Sequence, residues 1–240
     1  MLKNEEYMVT IEDVTPEGFG VCRIGGQAVF VKGAMTGESW RIRIMKVTKT
    51  AVWARGMELI TASPMRRRTD CPNPCGGCSL RYMEYEEELR IKRSYVDGCL
   101  RRIAGLERGV TEMHPSPVIE RYRNKAVFAV ADVRGKTAFG FYRPRSHDLI
   151  PVSDCLLQSE TCLKAARAVT DFMNDEGIPP YDEKTRKGTV RHLFWRESRM
   201  GDAVLCIVAA RGFGFLTPKL VDALRQRCPE LTGIVLNINK

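Results

Sequence analysis

Three cysteines within eight residues, Cys71, Cys75 and Cys78 in the stretch CPNPCGGC, constrain this chain more than any other feature. A run so dense in Pro, Gly and Cys cannot be regular structure. It divides a front segment of short strands from a rear segment in which strands and helices mix. Thiolates at C-x3-C-x2-C spacing on a glycine-rich loop can converge on one metal centre, because glycine lets backbone amides approach the sulfurs. Three ligands leave a coordination position open. Cys155 is the candidate fourth, since it follows a predicted strand and lies in the polar sequence Ser153-Asp154-Cys155. A four-cysteine zinc site, a 4Fe–4S cluster and a radical-SAM cluster all share such spacing. Gly77 stands where the radical-SAM signature has an aromatic, and no (β/α) barrel pattern follows. Cys22, Cys99, Cys162, Cys206 and Cys228 fall in strands or helices and are expected to be core thiols.

In front of the loop, β-branched and aromatic residues broken by glycine predict strands over Tyr7–Asp13, Gly20–Ile24 and Gln27–Val31, with Gly25-Gly26 as a two-residue hairpin turn. From Trp40 to Ile44 the pattern alternates, with Trp40, Ile42 and Ile44 on one side and Arg41 and Arg43 on the other. Five strands in this length predict a small OB-like barrel over residues 1–62. Behind the loop, a helix is expected from Glu84 to Ile103 with Leu89, Val96, Leu100 and Ile103 on its apolar face. Its acidic first turns suit the helix dipole and carry no catalytic implication. Strands follow at Ala126–Val133, Thr137–Tyr142 and Asp148–Val152, then a helix over Ser159–Asn174. Strands at Val190–Arg196 and Ala203–Ala210, a helix over Thr217–Arg227 and a strand from Gly233 complete the pattern. Residues 63–240 are thus expected to form an α+β domain on an antiparallel or mixed sheet.

The longest apolar run, Ala203 to Ala210, is eight residues, far short of the roughly 20 that a membrane helix needs. No signal peptide opens the chain, so no membrane partner and a cytoplasmic location are expected. In a reducing cytosol, nine cysteines point to metal or catalysis rather than to disulfides. Lys plus Arg exceed Asp plus Glu by 38 − 29 = 9, which suits an anionic partner. Basic residues concentrate at Arg121, Arg123, Lys125, Arg134, Lys136, Arg143 and Arg145, with Phe141 and Tyr142 among them. Guanidinium groups clamp phosphates and aromatic faces stack on unpaired bases, so RNA contact is expected here and at Arg41 and Arg43. Arg66, Arg67 and Arg68 can serve equally as a phosphate site or as solvated linker. His147 reads as a surface histidine, and His114 and His192 lack metal spacing.

The segment GFGVCRIGGQAVFVKGAMTGE resembles a TRAM domain, a small OB-like RNA-binding barrel. The stretches CGGCSLRYMEYEEELRIKRSYV, RYRNKAVFAV, GFYRPRSHDLIPVSDC, RHLFWRES and GIVLNINK resemble, in that order, the class I SAM-dependent RNA (uracil-5-)-methyltransferases of the 23S rRNA type. The resemblance spans nearly the whole sequence. It implies a 4Fe–4S cluster on Cys71, Cys75, Cys78 and Cys155, although the family commonly has five residues between the first two ligands where this chain has three. It also implies rRNA as the partner, with tRNA second. In this family a Cys attacks uracil C6, C5 takes the methyl of S-adenosylmethionine, and a carboxylate removes the C5 proton. Those groups lie in a Rossmann-like domain. Gly212-Phe213-Gly214 is only a partial glycine turn, with no third glycine or acidic partner about 20 residues on. The sequence therefore predicts an N-terminal part of such an enzyme with the Rossmann-like domain absent. No catalytic or S-adenosylmethionine-binding residue is assigned, and no activity of its own is expected. The alternative is a stand-alone iron–sulfur or four-cysteine zinc RNA-binding protein.

Overall fold

The computed structural model describes residues 1–69, 71, 73 and 75–239. It divides into two compact units, one of residues 1–70 with 77–117 and one of residues 71–76 with 118–240.

The first unit holds six strands: β1 (Glu6–Thr10), β2 (Asp13–Val14), β3 (Phe19–Ile24), β4 (Gln27–Lys32), β5 (Ser39–Val47) and β6 (Val52–Thr61). They form one sheet in the order β1-β5-β6-β4-β3-β2. All neighbours are antiparallel except β4 and β6, which run parallel from Val29↔Val52 to Val31↔Ala54. The expected five-stranded barrel is therefore corrected to a six-stranded sheet, because Asp13 and Val14 pair with Val21 and Gly20 as a separate short strand. Strand alternation sends Val29, Val31, Ile42, Ile44, Val52 and Ala54 into one apolar core. The β3–β4 turn is made by Gly25 and Gly26, both at positive φ (57° and 81°), as a tight hairpin between right-twisted strands requires.

Helix α1 (Tyr85–Arg102) belongs to this unit. Its buried residues are Glu87 and Ile91. Val96 and Ile103, expected on its apolar face, are 44% and 82% exposed. In the first two turns Ile91 joins Val14, Met35, Leu80 and Met83 in a small cluster, while Leu100 near the other end is half-buried. Helical spacing specifies which residues share a face; it does not supply a surface to cover them.

A buried ion pair fixes the chain between β6 and α1. Glu38 is fully buried, and its carboxylate accepts from Arg66 Nε at 2.5 Å and from the Met35 amide, the Trp40 indole and the Ser63 amide. The Arg66 guanidinium also donates to the Gly33 carbonyl at 2.8 Å and lies over the rings of Trp40 and Tyr82. Burial pushes the Glu38 carboxyl pKa up. Arg66 and the three other donors outweigh burial, and the net shift is downward.

The second unit is a six-stranded mixed sheet. Its strands are β7 (Lys125–Val133), β8 (Lys136–Tyr142), β9 (Leu149–Pro151), β10 (Val190–Glu197), β11 (Ala203–Ala209) and β12 (Leu231–Ile238), in the order β12-β11-β10-β7-β8-β9. Only β11 and β12 pair in parallel, joined through α3 (Thr217–Arg227), as a parallel crossover requires. Helix α2 (Glu160–Asp175) starts on Ser159, whose hydroxyl accepts from the Cys162 amide at 3.2 Å. Asn174 pins α2 to β8 by exchanging two hydrogen bonds with the Thr137 backbone. Phe128, Phe139, Leu193, Trp195, Leu205 and Ile207 are buried on the sheet face that carries Thr137 and its tie to α2. The residues alternating with them point to the opposite face.

Candidate nucleic-acid interface and cysteine loop

The first unit exposes a cluster of rings that alternation dictates. Because Val29 and Val31 point inward, Phe30 between them points outward, opposite Trp53 in the parallel register. Trp53 is 37% exposed, stacks on Phe30 at 5.0 Å and 28°, and meets Phe19 edge-on at 5.0 Å. Lys32 pairs with Phe19 across β3–β4, and Lys46 pairs with Trp53 across β5–β6, so two exposed ammonium groups flank the rings. The sequence reading missed this trio. The signal was present in the outward parity of Phe30 within Gln27–Val31.

Arg41 and Arg43 sit two residues apart on the same outward face. Arg41 pairs with Glu6 and Glu58, both at 2.9 Å, and Arg43 with Glu6 at 2.6 Å. These pairs are exposed and screened, so they are weak, yet locally they cancel the charge that a phosphate would meet. Arg66 is taken up by Glu38. Linker charge alone does not reveal that arrangement.

On the second unit, Arg121 (φ 51°) is tied to Asp154 at 3.2 Å and Glu160 at 3.7 Å. Arg123 bridges to Gln158, and Lys125 opens β7 as an exposed residue. Arg143 and Arg145 lie exposed in the β8–β9 turn, which the Arg143 amide closes on the Asp148 carbonyl at 2.9 Å. The adjacent aromatics separate by strand parity. Phe141 packs on Phe128 at 5.2 Å on the helix-covered face, while Tyr142 points to the opposite face and stacks on His147 at 5.3 Å and 20°.

Cys71 and Cys75 belong to the second unit and Cys78 to the first. Cys155 is buried, and Cys71, Cys75 and Cys78 are half-buried. The Asn73 side chain donates to the Asp154 carbonyl at 2.6 Å, which holds part of the loop beside the residue preceding Cys155. Among the described residues no group of three or more His, Cys, Asp or Glu is placed to hold a metal ion. Of the other cysteines, Cys22, Cys162 and Cys228 are buried, and burial pushes each thiol up, that of Cys22 to about 11. Cys99 and Cys206 are half-buried. Asp70, Pro72, Pro74 and Lys240 lie outside the described residues. No helix among the described residues is long and apolar enough to cross a membrane.

Residues 2–55 match the TRAM domain family. Over 99% of its length the chain is 35% identical to an uncharacterized RNA methyltransferase of Halalkalibacterium halodurans and 31% identical to one of Clostridium tetani, covering 53% and 52% of those proteins. The chain thus spans about half the length of the curated relatives it matches. The fold resembles the crystal structure of Pyrococcus abyssi tRNA (uracil-54, C5)-methyltransferase in complex with S-adenosyl-L-homocysteine. That similarity has a TM-score of 0.66 at 23% identity and covers 90% of this chain and 48% of that one. The expected fold class, a five-stranded OB-like barrel followed by an α+β domain with the cysteine loop, is corrected by these matches and by the sheet order. Relatives align with 99% of the chain, and the architecture is a TRAM domain plus a second sheet-rich domain.

Proposed function

From the premise that this chain carries a TRAM domain and is homologous along nearly its whole length to RNA methyltransferases, we propose that it serves the S-adenosylmethionine-dependent methylation of uracil C5 in RNA, and that its described residues contribute RNA recognition. One observation carries the reading. The stretch that matches the TRAM family is the one that presents Phe19, Phe30 and Trp53 outward between Lys32 and Lys46. Rings stack on bases of any sequence while ammonium groups meet the phosphates, which is how single-stranded segments are held. Arg143, Arg145 and Lys125 extend the basic surface on the second unit. Arg41, Arg43, Arg121 and Arg123 take part where a phosphate displaces their present partners.

The test is binding of tRNA and 23S rRNA transcripts, each competing against the other, which also decides between the two substrate classes. Trp53→Ala is expected to weaken binding roughly 5- to 100-fold, as the loss of one base stack does. Unchanged affinity in that variant would overturn the assignment of this face.

The 4Fe–4S cluster is proposed on Cys71, Cys75, Cys78 and Cys155. Support comes from the thiolate spacing and from the Asn73 tie beside Asp154. When bound, such a cluster would cross-link the loop to the segment after β9. Anaerobically purified protein should hold iron and acid-labile sulfide, and Cys155→Ser should lose most of both. Zinc without visible absorption, or full iron in the variant, would reject this ligand set.

A further inference from the structure

The sheet of the second unit has one face that its helices do not use, and that face carries a line of rings. Tyr142 on β8 and His192 and Phe194 on β10 share it by strand parity, and His147 reaches it from the β8–β9 turn. Ring centroids step from His147 to Tyr142 (5.3 Å), to His192 (6.4 Å) and to Phe194 (6.5 Å). Phe194 is 39% exposed, with Val127 opposite it. The next pair along β7 and β10 on this face is Lys125 and Arg196, both exposed. Arg143 and Arg145 follow Tyr142 in the turn that holds His147, which the antiparallel register places at the same end of the strands as Lys125 and Arg196. The carboxylate that bears on Tyr142 and His192 is Glu183, itself ion-paired to Arg191 at 3.2 Å. Burial lowers the His192 pKa more than Glu183 raises it, so this imidazole is neutral near pH 7.

Resting on the reading above, we propose that this face is a second RNA site, a base-stacking platform on which Tyr142 and Phe194 receive unpaired bases while Lys125, Arg196, Arg143 and Arg145 along one edge of the sheet hold the phosphates. Val127, Val204 and Val235 share this face with Phe194, and a protein partner would account for them but not for the cations beside the rings. Cations along one edge beside a row of rings match a single strand whose bases lie on the rings and whose phosphates run along that edge. Tyr142 on β8 and Phe194 on β10 are level with Val127 of the intervening β7, so the two rings flank one apolar residue on a single line across the sheet. Specificity for unpaired RNA follows, because a duplex does not present its base faces.

The experiment is fluorescence anisotropy of the full chain with a labelled oligouridine and with an RNA duplex, in the absence of S-adenosylmethionine. Tyr142→Ala and Phe194→Ala are each expected to weaken oligouridine binding roughly 5- to 100-fold and to leave duplex binding within about twofold. Tyr142→Leu and Phe194→Leu keep apolar bulk without a ring, and they should lose affinity as the alanine variants do. They also replace any alanine variant that does not fold. Leucine variants that bind like wild type would mean a greasy contact rather than stacking and would overturn the platform. So would a Tyr142→Leu/Phe194→Leu double variant with wild-type affinity, while loss on Trp53→Ala would leave the TRAM assignment standing. Failure of the wild-type chain to bind any RNA would overturn both.

Discussion

Arg66→Ala is expected to destabilise the first unit by about 3–5 kcal/mol, the range for leaving one partner of a buried ion pair uncompensated. Glu38 would then sit fully buried, holding only the Met35 and Ser63 amides and the Trp40 indole as donors. For a unit of this size the melting temperature should fall by more than about 10 °C. Glu38→Gln should be damaging for the complementary reason: it strands the guanidinium between Trp40 and Tyr82 and turns one acceptor into a donor. A double variant, Arg66→Met with Glu38→Leu, should recover part of the loss, because apolar replacements leave neither charge unpaired. The pH dependence has a definite sign. The folded-state pKa of Glu38 is lowered from its ordinary value of 4.5, so its contribution is complete above that value and lost as pH falls through the depressed one. Thermal melts between pH 3 and 7 should show this slope in wild type and not in Glu38→Gln. An Arg66→Ala protein within about 1 kcal/mol of wild type would reject the account.

RNA affinity should fall about 300-fold between roughly 50 and 200 mM monovalent salt. Lys32, Lys46, Lys125, Arg196, Arg143 and Arg145 supply about six phosphate contacts. At a slope near −0.7 per contact on single strands, the fourfold rise in salt gives about 2.5 decades. The structure also ranks the residues. Arg143→Ala should reduce the slope by about 0.7, since its guanidinium belongs to an exposed turn. Arg121→Ala should change the slope less, because Arg121 already faces Asp154 and Glu160. Arg41 and Arg43, held against Glu6 and Glu58, should resemble Arg121. A titration with no salt dependence, or with equal slopes in the Arg121 and Arg143 variants, would contradict this ranking.

Most elements were legible to within a few residues, but β6 (Val52–Thr61), the longest strand of the first unit, was not placed. Val29, Val31, Ile42 and Ile44 alternate with polar or aromatic neighbours, and a strand has only two faces, so local pattern fixes which side each residue takes. The same rule, applied to Phe141 and Tyr142, separates two residues that composition alone had grouped. Ser159 before α2 and Gly25-Gly26 between β3 and β4 likewise express chemistry carried by single residues or neighbouring pairs.

What the chain's order of residues determined by itself was local: strand and helix positions, turn types, the inward or outward parity of each side chain, and the resemblance carried by its motifs. The tertiary structure alone decided which charges are neutralised and which elements keep company. Arg66 meets Glu38 across 28 positions, α1 groups with the first sheet, β12 joins β11 in parallel, and Tyr142, His192 and Phe194 line up across strands about 50 residues apart in the chain. The physical reason is that backbone conformation depends on near neighbours. An ion pair, a buried helix face or a row of rings depends on distances through space, which become short only when the whole sheet has closed.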